Sequence, residues 1–115
     1  MNRIFVYGTL KRGFGNWNHF LNKPEVKFLG EDTLKDFTMV SLGSFPGVIY
    51  EGDGEIHGEV YEIPDDVSRN IDYLEGYPEF YTKMGVITKW GAADMYILPK
   101  SFLNNPVIES GNWED

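Results

Sequence analysis

Short apolar runs that end at or near Gly or Pro constrain the fold of this chain most strongly. The runs are rich in β-branched and aromatic residues, a composition typical of β-strands. A turn signal at residues 51–54 (EGDG) predicts a hairpin between two of them, 48–50 and 56–63. The strands are predicted at residues 4–7, 25–34, 37–40, 48–50, 56–63, 80–90 and 95–98.

One stretch has the pattern of a longer α-helix. Pro64 and the two acidic residues after it suit a helix N-terminus, and the apolar residues at positions 67, 71 and 74 share one face. Gly76 and Pro78 predict where the helix ends. The strands and this helix together predict an α+β domain built around a curved or closed sheet.

The length and the charge of the chain restrict its function. A chain of 115 residues predicts a single domain, residues 1–115, and a net charge of −8 argues against nucleic acid or an anionic membrane as partner. There is no cysteine, so His57 and Glu59 lack the further ligands of a zinc-deaminase site. No window is apolar for the ~18 residues that a membrane span needs. We therefore expect a monomeric cytoplasmic protein without a metal.

The turn after the first strand is a candidate binding site. Tyr7 is followed by Gly8, which permits backbone conformations that a side chain forbids and lets a ligand approach the main chain. The amides of Gly8, Thr9 and Leu10 could then converge on an anion or a carbonyl oxygen. The alternative is a core strand that ends in an ordinary glycine turn.

Glu75 is the residue that departs most from local rules. It continues the apolar face of the helix, lies in the last turn where the helix dipole disfavours negative charge, and follows Asp72 by three residues. All three features would raise its pKa, as expected for a general acid or base near neutral pH. The alternative is that Glu75 turns outward from a frayed helix end.

Two stretches resemble a known family. Residues 6–13 (VYGTLKRG) resemble the N-terminal signature of the gamma-glutamylcyclotransferase-like superfamily, and residues 71–81 (IDYLEGYPEFY) resemble its second motif. The match is closest to the short gamma-glutamylamine cyclotransferase type. Weaker matches at residues 18–19, 45–47, 58–61 and 110–113 follow in the expected order.

The resemblance implies a fold and a reaction. The fold would be a small mixed β-barrel of about five to seven strands with one main helix packed against it. Glu75 would be the catalytic acid/base, the main chain of Tyr7, Gly8, Thr9 and Leu10 would hold a gamma-glutamyl group, and Tyr81 would contact the substrate. The products would be 5-oxoproline and a free amine, formed without a cofactor.

The chain also departs from the family. Family members often carry Arg two residues after the motif tyrosine, where this chain has Lys83. Two other functions stay open at this point. One is a small-molecule-binding module that retains the site without turnover, and the other is an interaction domain in which the Gly8 turn and Glu75 are unrelated.

Overall fold

A computed structural model describes residues 1–114, which form seven strands and two α-helices. In chain order these are β1 (Asn2–Val6), α1 (Gly15–Phe20), β2 (Lys27–Lys35), β3 (Thr38–Ser41), β4 (Pro46–Ile49), β5 (Glu55–Ile63), α2 (Asp65–Leu74), β6 (Thr82–Thr88) and β7 (Gly91–Ile97). A short 3₁₀ helix, Lys100–Asn104, follows β7. Within the described residues, no helix is long and apolar enough to cross a membrane.

Five of the strands form a mixed sheet with the order β2-β5-β1-β7-β6. β1 lies in the middle, antiparallel to β5 and parallel to β7, while β3 and β4 pair separately. The predicted α+β fold with one main helix is confirmed. β1 therefore carries the Gly8 turn out of the centre of the sheet.

The sheet is curled, so that strand β2 meets the turn between β6 and β7. The Lys89 N–H donates to Asp32 Oδ2 at 2.9 Å, and the Trp90 ring packs over Gly30. A Cβ on Gly30 would lie 2.6 Å from Trp90 Cη2, so only glycine leaves room for the ring. The β2 edge of the sheet and the turn between β6 and β7 are thus joined by side chains and one backbone amide. In a closed barrel they would be joined by backbone hydrogen bonds between paired strands.

The predicted hairpin between residues 48–50 and 56–63 is wrong. β4 pairs with β3, and β5 pairs with β1 and β2. The segment between β4 and β5 instead crosses from the small sheet to the large one, where the Asp36 and Phe37 N–H groups donate to Gly54 O. Glycine-rich segments suit a hairpin turn and a crossing equally well, so the turn signal could not choose the partner strand.

Helix α2 ends in a defined cap. The Gly76 N–H donates to Tyr73 O and the Tyr77 N–H to Asp72 O, with Gly76 in the left-handed region (φ 64°). These two bonds and the positive φ make a Schellman cap, which confirms Gly76 as the predicted stop. Val67 and Ile71 are buried against the sheet. The cap fixes the position of Glu75, the residue just before Gly76.

Candidate active site

A cavity of about 310 Å³ lies where the Gly8 turn, the C-terminal end of α2 and the segment before β4 meet. The structure brings all six predicted site residues to this one cavity. They are Tyr7, Gly8, Thr9, Leu10, Glu75 and Tyr81. The interpretation in which the Gly8 turn and Glu75 are unrelated loses its main support, because one small molecule could contact both.

The Gly8 turn forms part of the cavity lining. In residues 1–114 no acceptor bonds the N–H of Gly8, Thr9 or Leu10, while Gly8 O accepts from the Lys11 N–H at 3.0 Å. A Cβ on Gly8 would lie 2.9 Å from Pro46 Cγ. Gly8 does not have a positive φ, so the glycine is needed for this close contact with Pro46 and not, as the sequence suggested, for a backbone conformation that a side chain forbids. Adjacent unbonded amides of this kind attract anions and carbonyl oxygens.

The back of this turn is held by buried charges. Lys11, 8% exposed, donates from Nζ to Asn112 Oδ1 at 2.8 Å and to Trp113 O at 3.1 Å. The Arg12 N–H donates to Glu59 Oε1 at 2.9 Å. A more polar depression of about 610 Å³ on this side is lined by these charged groups. Their hydrogen bonds fix the turn to the sheet and to the C-terminal segment.

Glu75 lines the cavity and is only partly exposed. Its N–H still donates to Ile71 O at 2.9 Å, so the helix end is ordered up to this residue. Burial raises the pKa of the Glu75 carboxyl from an ordinary 4.5 to about 7. The carboxyl is thus suited to gain and lose a proton near neutral pH.

Asp72 does not contribute to this raised pKa as the sequence suggested. Its carboxylate is 2.9 Å from Lys83 Nζ and accepts a hydrogen bond from the Tyr96 hydroxyl. Lys83 Nζ also lies 4.4 Å from the centre of the Tyr77 ring. Lysine thus makes an ion pair at the position where the family often has Arg. Removal from water, rather than a neighbouring charge, tunes Glu75.

Buried tyrosines form much of the cavity wall. The Tyr7 hydroxyl donates to Tyr96 O at 2.8 Å, and the Tyr81 hydroxyl donates to Pro46 O at 2.6 Å. Burial is the main cause that raises the pKa of Tyr7, Tyr81 and Tyr96. All three therefore stay neutral near pH 7, which leaves Glu75 as the group suited to move protons. Tyr81, predicted to contact the substrate, lines the cavity, but its hydroxyl proton is already donated to the Pro46 carbonyl oxygen.

Several cavity residues were not identified from the sequence. Tyr96 and Asn16 lie in a strand and a short helix with no pattern that separates them from structural residues. Phe45 and Pro46 fall in a weak family match, without an assigned role. Ser44, Asn16, Phe45, Pro46, Leu74, Phe80 and Tyr96 are among the residues that line the cavity. Leu74 precedes Glu75 directly in the chain, whereas Asn16, Pro46 and Tyr96 reach the cavity only through the tertiary structure.

Neither histidine lies at the cavity. His57 Nδ1 is 3.0 Å from the Thr33 hydroxyl on the sheet, and His19 is exposed on α1. Within residues 1–114 there is no cluster of His, Cys, Asp and Glu that could hold a metal ion. The prediction that the site works without metal or cofactor stays a prediction.

The sequence matches one protein family and relatives that are named after it. Residues 4–115 match the family described as "Gamma-glutamyl cyclotransferase, AIG2-like". The gamma-glutamylcyclotransferase family protein YtfP of Citrobacter rodentium is 36% identical over 113 residues, which are 98% of this chain and 96% of the relative. YtfP of Escherichia coli K12 is 34% identical over the same shares. This chain belongs to the gamma-glutamyl cyclotransferase, AIG2-like family.

Solved structures share the fold of this cyclotransferase family member. A crystal structure of an uncharacterized protein from Pyrococcus horikoshii has a TM-score of 0.80 and 30% identity, covering 97% of this chain and 89% of the other. An AIG2-like protein from Mus musculus has a TM-score of 0.80 and 26% identity, covering 99% and 88%. The superfamily recognised from residues 6–13 and 71–81 is therefore confirmed.

Proposed function

We propose that this protein is a cyclotransferase that converts a small gamma-glutamyl amide into 5-oxoproline and a free amine, with Glu75 as general acid and base. One observation carries the proposal: a carboxyl whose pKa is about 7 lines the same 310 Å³ cavity as the unbonded amides of the Gly8 turn. Family membership supports the same chemistry.

The reaction is an intramolecular acyl transfer. The α-amine of the substrate attacks its own side-chain amide carbonyl, a C–N bond closes the five-membered ring, and the C–N bond to the leaving amine breaks. Glu75 removes the proton from the attacking nitrogen and returns it to the leaving nitrogen, so no water is consumed and no redox change occurs. A carboxyl titrating near neutral pH suits both steps.

The Gly8 turn would hold the negative charge of the substrate. Among the described residues that line the cavity there is no Lys, Arg or His, so the α-carboxylate of the substrate has no cationic partner there. The free N–H groups of Gly8, Thr9 and Leu10 can take that place. Held at this end, the glutamyl chain folds with its amine near its own carbonyl, which supplies much of the acceleration.

Release of 5-oxoproline from a panel of gamma-glutamyl amides tests the proposal. We expect Glu75→Gln to lower turnover by roughly 10²- to 10⁴-fold, because an amide cannot carry the proton. Glu79→Gln is the matched control, since Glu79 is an exposed glutamate four residues away and does not line the cavity. It should keep wild-type turnover.

Two results would contradict the proposal. Turnover of Glu75→Gln close to that of Glu79→Gln would remove Glu75 from the mechanism. Binding of a gamma-glutamyl amide by the wild type, measured by calorimetry and with no 5-oxoproline formed, would instead support the non-catalytic binding module.

A further inference from the structure

Three phenylalanines pack together at one side of the cavity, and we call them the phenylalanine rim: Phe45, Phe80 and Phe102. Phe45 and Phe80 line the cavity, with ring centres 6.4 Å apart, and Phe102 packs against Phe80 at 5.9 Å. Phe80 is 40% exposed, so it stands where the cavity meets solvent. An exposed phenylalanine at the edge of a cavity is available to contact a ligand.

The position of Phe80 relative to Glu75 is fixed by the cap of α2. The Phe80 N–H donates to Gly76 O at 2.7 Å, and a Cβ on Gly76 would lie 3.2 Å from Phe80 Cβ. The chain therefore folds back just after Glu75 and brings Phe80 to the opening. If a ligand atom lies beside Glu75, a substituent on that atom that extends to solvent would contact the Phe80 ring.

The rim carries no charge of its own to pair with a ligand. Glu75 is the one carboxyl among the described cavity-lining residues, and none of them is basic. Two lysines in the surrounding segments are already paired. Lys83 lies 2.9 Å from Asp72, and Lys100, on the 3₁₀ helix of Phe102, lies 2.9 Å from Glu51. A carboxylate entering the rim would lose water without gaining a cationic partner. With the reacting nitrogen at Glu75, an ammonium at the far end of the amine would find only aromatic rings at the rim, which offset part of its lost hydration.

We propose that the phenylalanine rim is the subsite for the leaving amine, and that it selects an uncharged apolar amine, best one with an aromatic ring. This inference rests on the proposed function, since the leaving nitrogen must reach Glu75 to receive its proton. From there the substituent points towards the opening, because the amine must depart through it. An aromatic substituent could pack against Phe80 edge to face, as Phe45 and Phe102 do.

Matched substrates separate charge from shape. Gamma-glutamyl-phenethylamide and gamma-glutamyl-phenylalanine differ by one carboxylate, and gamma-glutamyl-putrescine has an apolar chain that ends in an ammonium. We expect kcat/KM for phenethylamide to exceed that for both charged substrates by roughly 10- to 100-fold, because a desolvated carboxylate finds no cation there and a desolvated ammonium finds only aromatic rings. Gamma-glutamyl-ethylamide, without a ring, should be lower than phenethylamide by roughly 3- to 10-fold.

Variants of the rim test which residue sets the preference. Phe80→Leu keeps an apolar side chain and should reduce the advantage of phenethylamide over ethylamide to below twofold. Phe80→Arg adds a cation at the opening and should raise kcat/KM for gamma-glutamyl-phenylalanine relative to phenethylamide by at least about tenfold. Tyr73→Leu is the matched control, because Tyr73 is a 90% exposed aromatic on α2 outside the cavity lining.

The outcomes separate this inference from the proposed function. Release of 5-oxoproline with equal or better use of phenylalanine or putrescine as leaving group would overturn the rim and leave the cyclotransferase standing. The rim proposal would also be overturned if Phe80→Leu and Tyr73→Leu changed the ratio of kcat/KM for phenethylamide to that for ethylamide equally. No release from any substrate would overturn the proposed function and this inference together.

Discussion

Replacing Glu75 should make the protein more stable above neutral pH while it removes activity. Because burial raises the pKa of the Glu75 carboxyl to about 7, the folded chain holds this proton over a pH range where the unfolded chain has lost it. The unfolded state then binds fewer protons than the folded state, so stability falls as pH rises from about 4.5 to about 7. Glu75→Gln is uncharged throughout and escapes this loss.

The size of the effect follows from the two pKa values. A rise from 4.5 to about 7 is about 2.5 pH units, and each unit corresponds to about 1.4 kcal/mol. The full difference is therefore about 3.5 kcal/mol, an upper bound because Glu75 keeps some contact with solvent. A gain of even half that amount is easily measured in a domain of this size.

Urea unfolding at pH 5, 6, 7 and 8 would measure this effect. The free energy of unfolding of Glu75→Gln minus that of the wild type should become more positive by about 1.5–3 kcal/mol between pH 5 and pH 8. Taking the difference cancels the titration of the other carboxyl groups, and Glu79→Gln reports what the loss of an exposed charge does. A difference for Glu75→Gln that stays constant with pH would refute a raised pKa at Glu75.

Two glycine substitutions test the close contacts around the site. Gly8→Ala should lower kcat/KM at least about tenfold, because its Cβ would lie 2.9 Å from Pro46 Cγ and displace the amides. Gly85→Ala is the control and should keep wild-type kcat/KM, because a Cβ there would have nothing within 4 Å. Equal kcat/KM values for the two variants would contradict the role of the turn. Gly111→Ala should lower the free energy of unfolding by about 2 kcal/mol or more, measured with urea, because its Cβ would lie 1.7 Å from Glu55 O at φ 65°. A loss below about 0.5 kcal/mol would show that this contact relaxes freely.

Local signals in the sequence were enough to predict the helix and its carboxylate. The apolar face of α2, Gly76 as its stop and the position of Glu75 on that face depend on residues within one or two turns of each other. Burial of Glu75 followed from the same periodicity. The proposed effect of Asp72 failed because its partner, Lys83, lies on another element.

The rest of the site depends on contacts between distant segments. Pro46 packs against Gly8, which lies 38 positions earlier in the chain, and Tyr96 accepts a hydrogen bond from Tyr7, 89 positions earlier. No periodic pattern in the sequence predicts such pairs. The hairpin prediction failed for a related reason, since a turn signal indicates a change of direction and not which strand will pair. The family resemblance supplied what periodicity could not, because it linked residues 6–13 to residues 71–81.

The central place of β1 has a consequence for synthesis on the ribosome. β1 is made before both of its neighbours in the sheet, β5, which ends at Ile63, and β7, which begins at Gly91. The turn that follows β1 is then held by Asn112 and Trp113 through Lys11, across more than a hundred positions. Such long-range contacts close late. A nascent chain therefore carries the Gly8 turn and Glu75 before it carries Tyr96, another residue that lines the cavity, and before it carries the residues that hold the turn through Lys11.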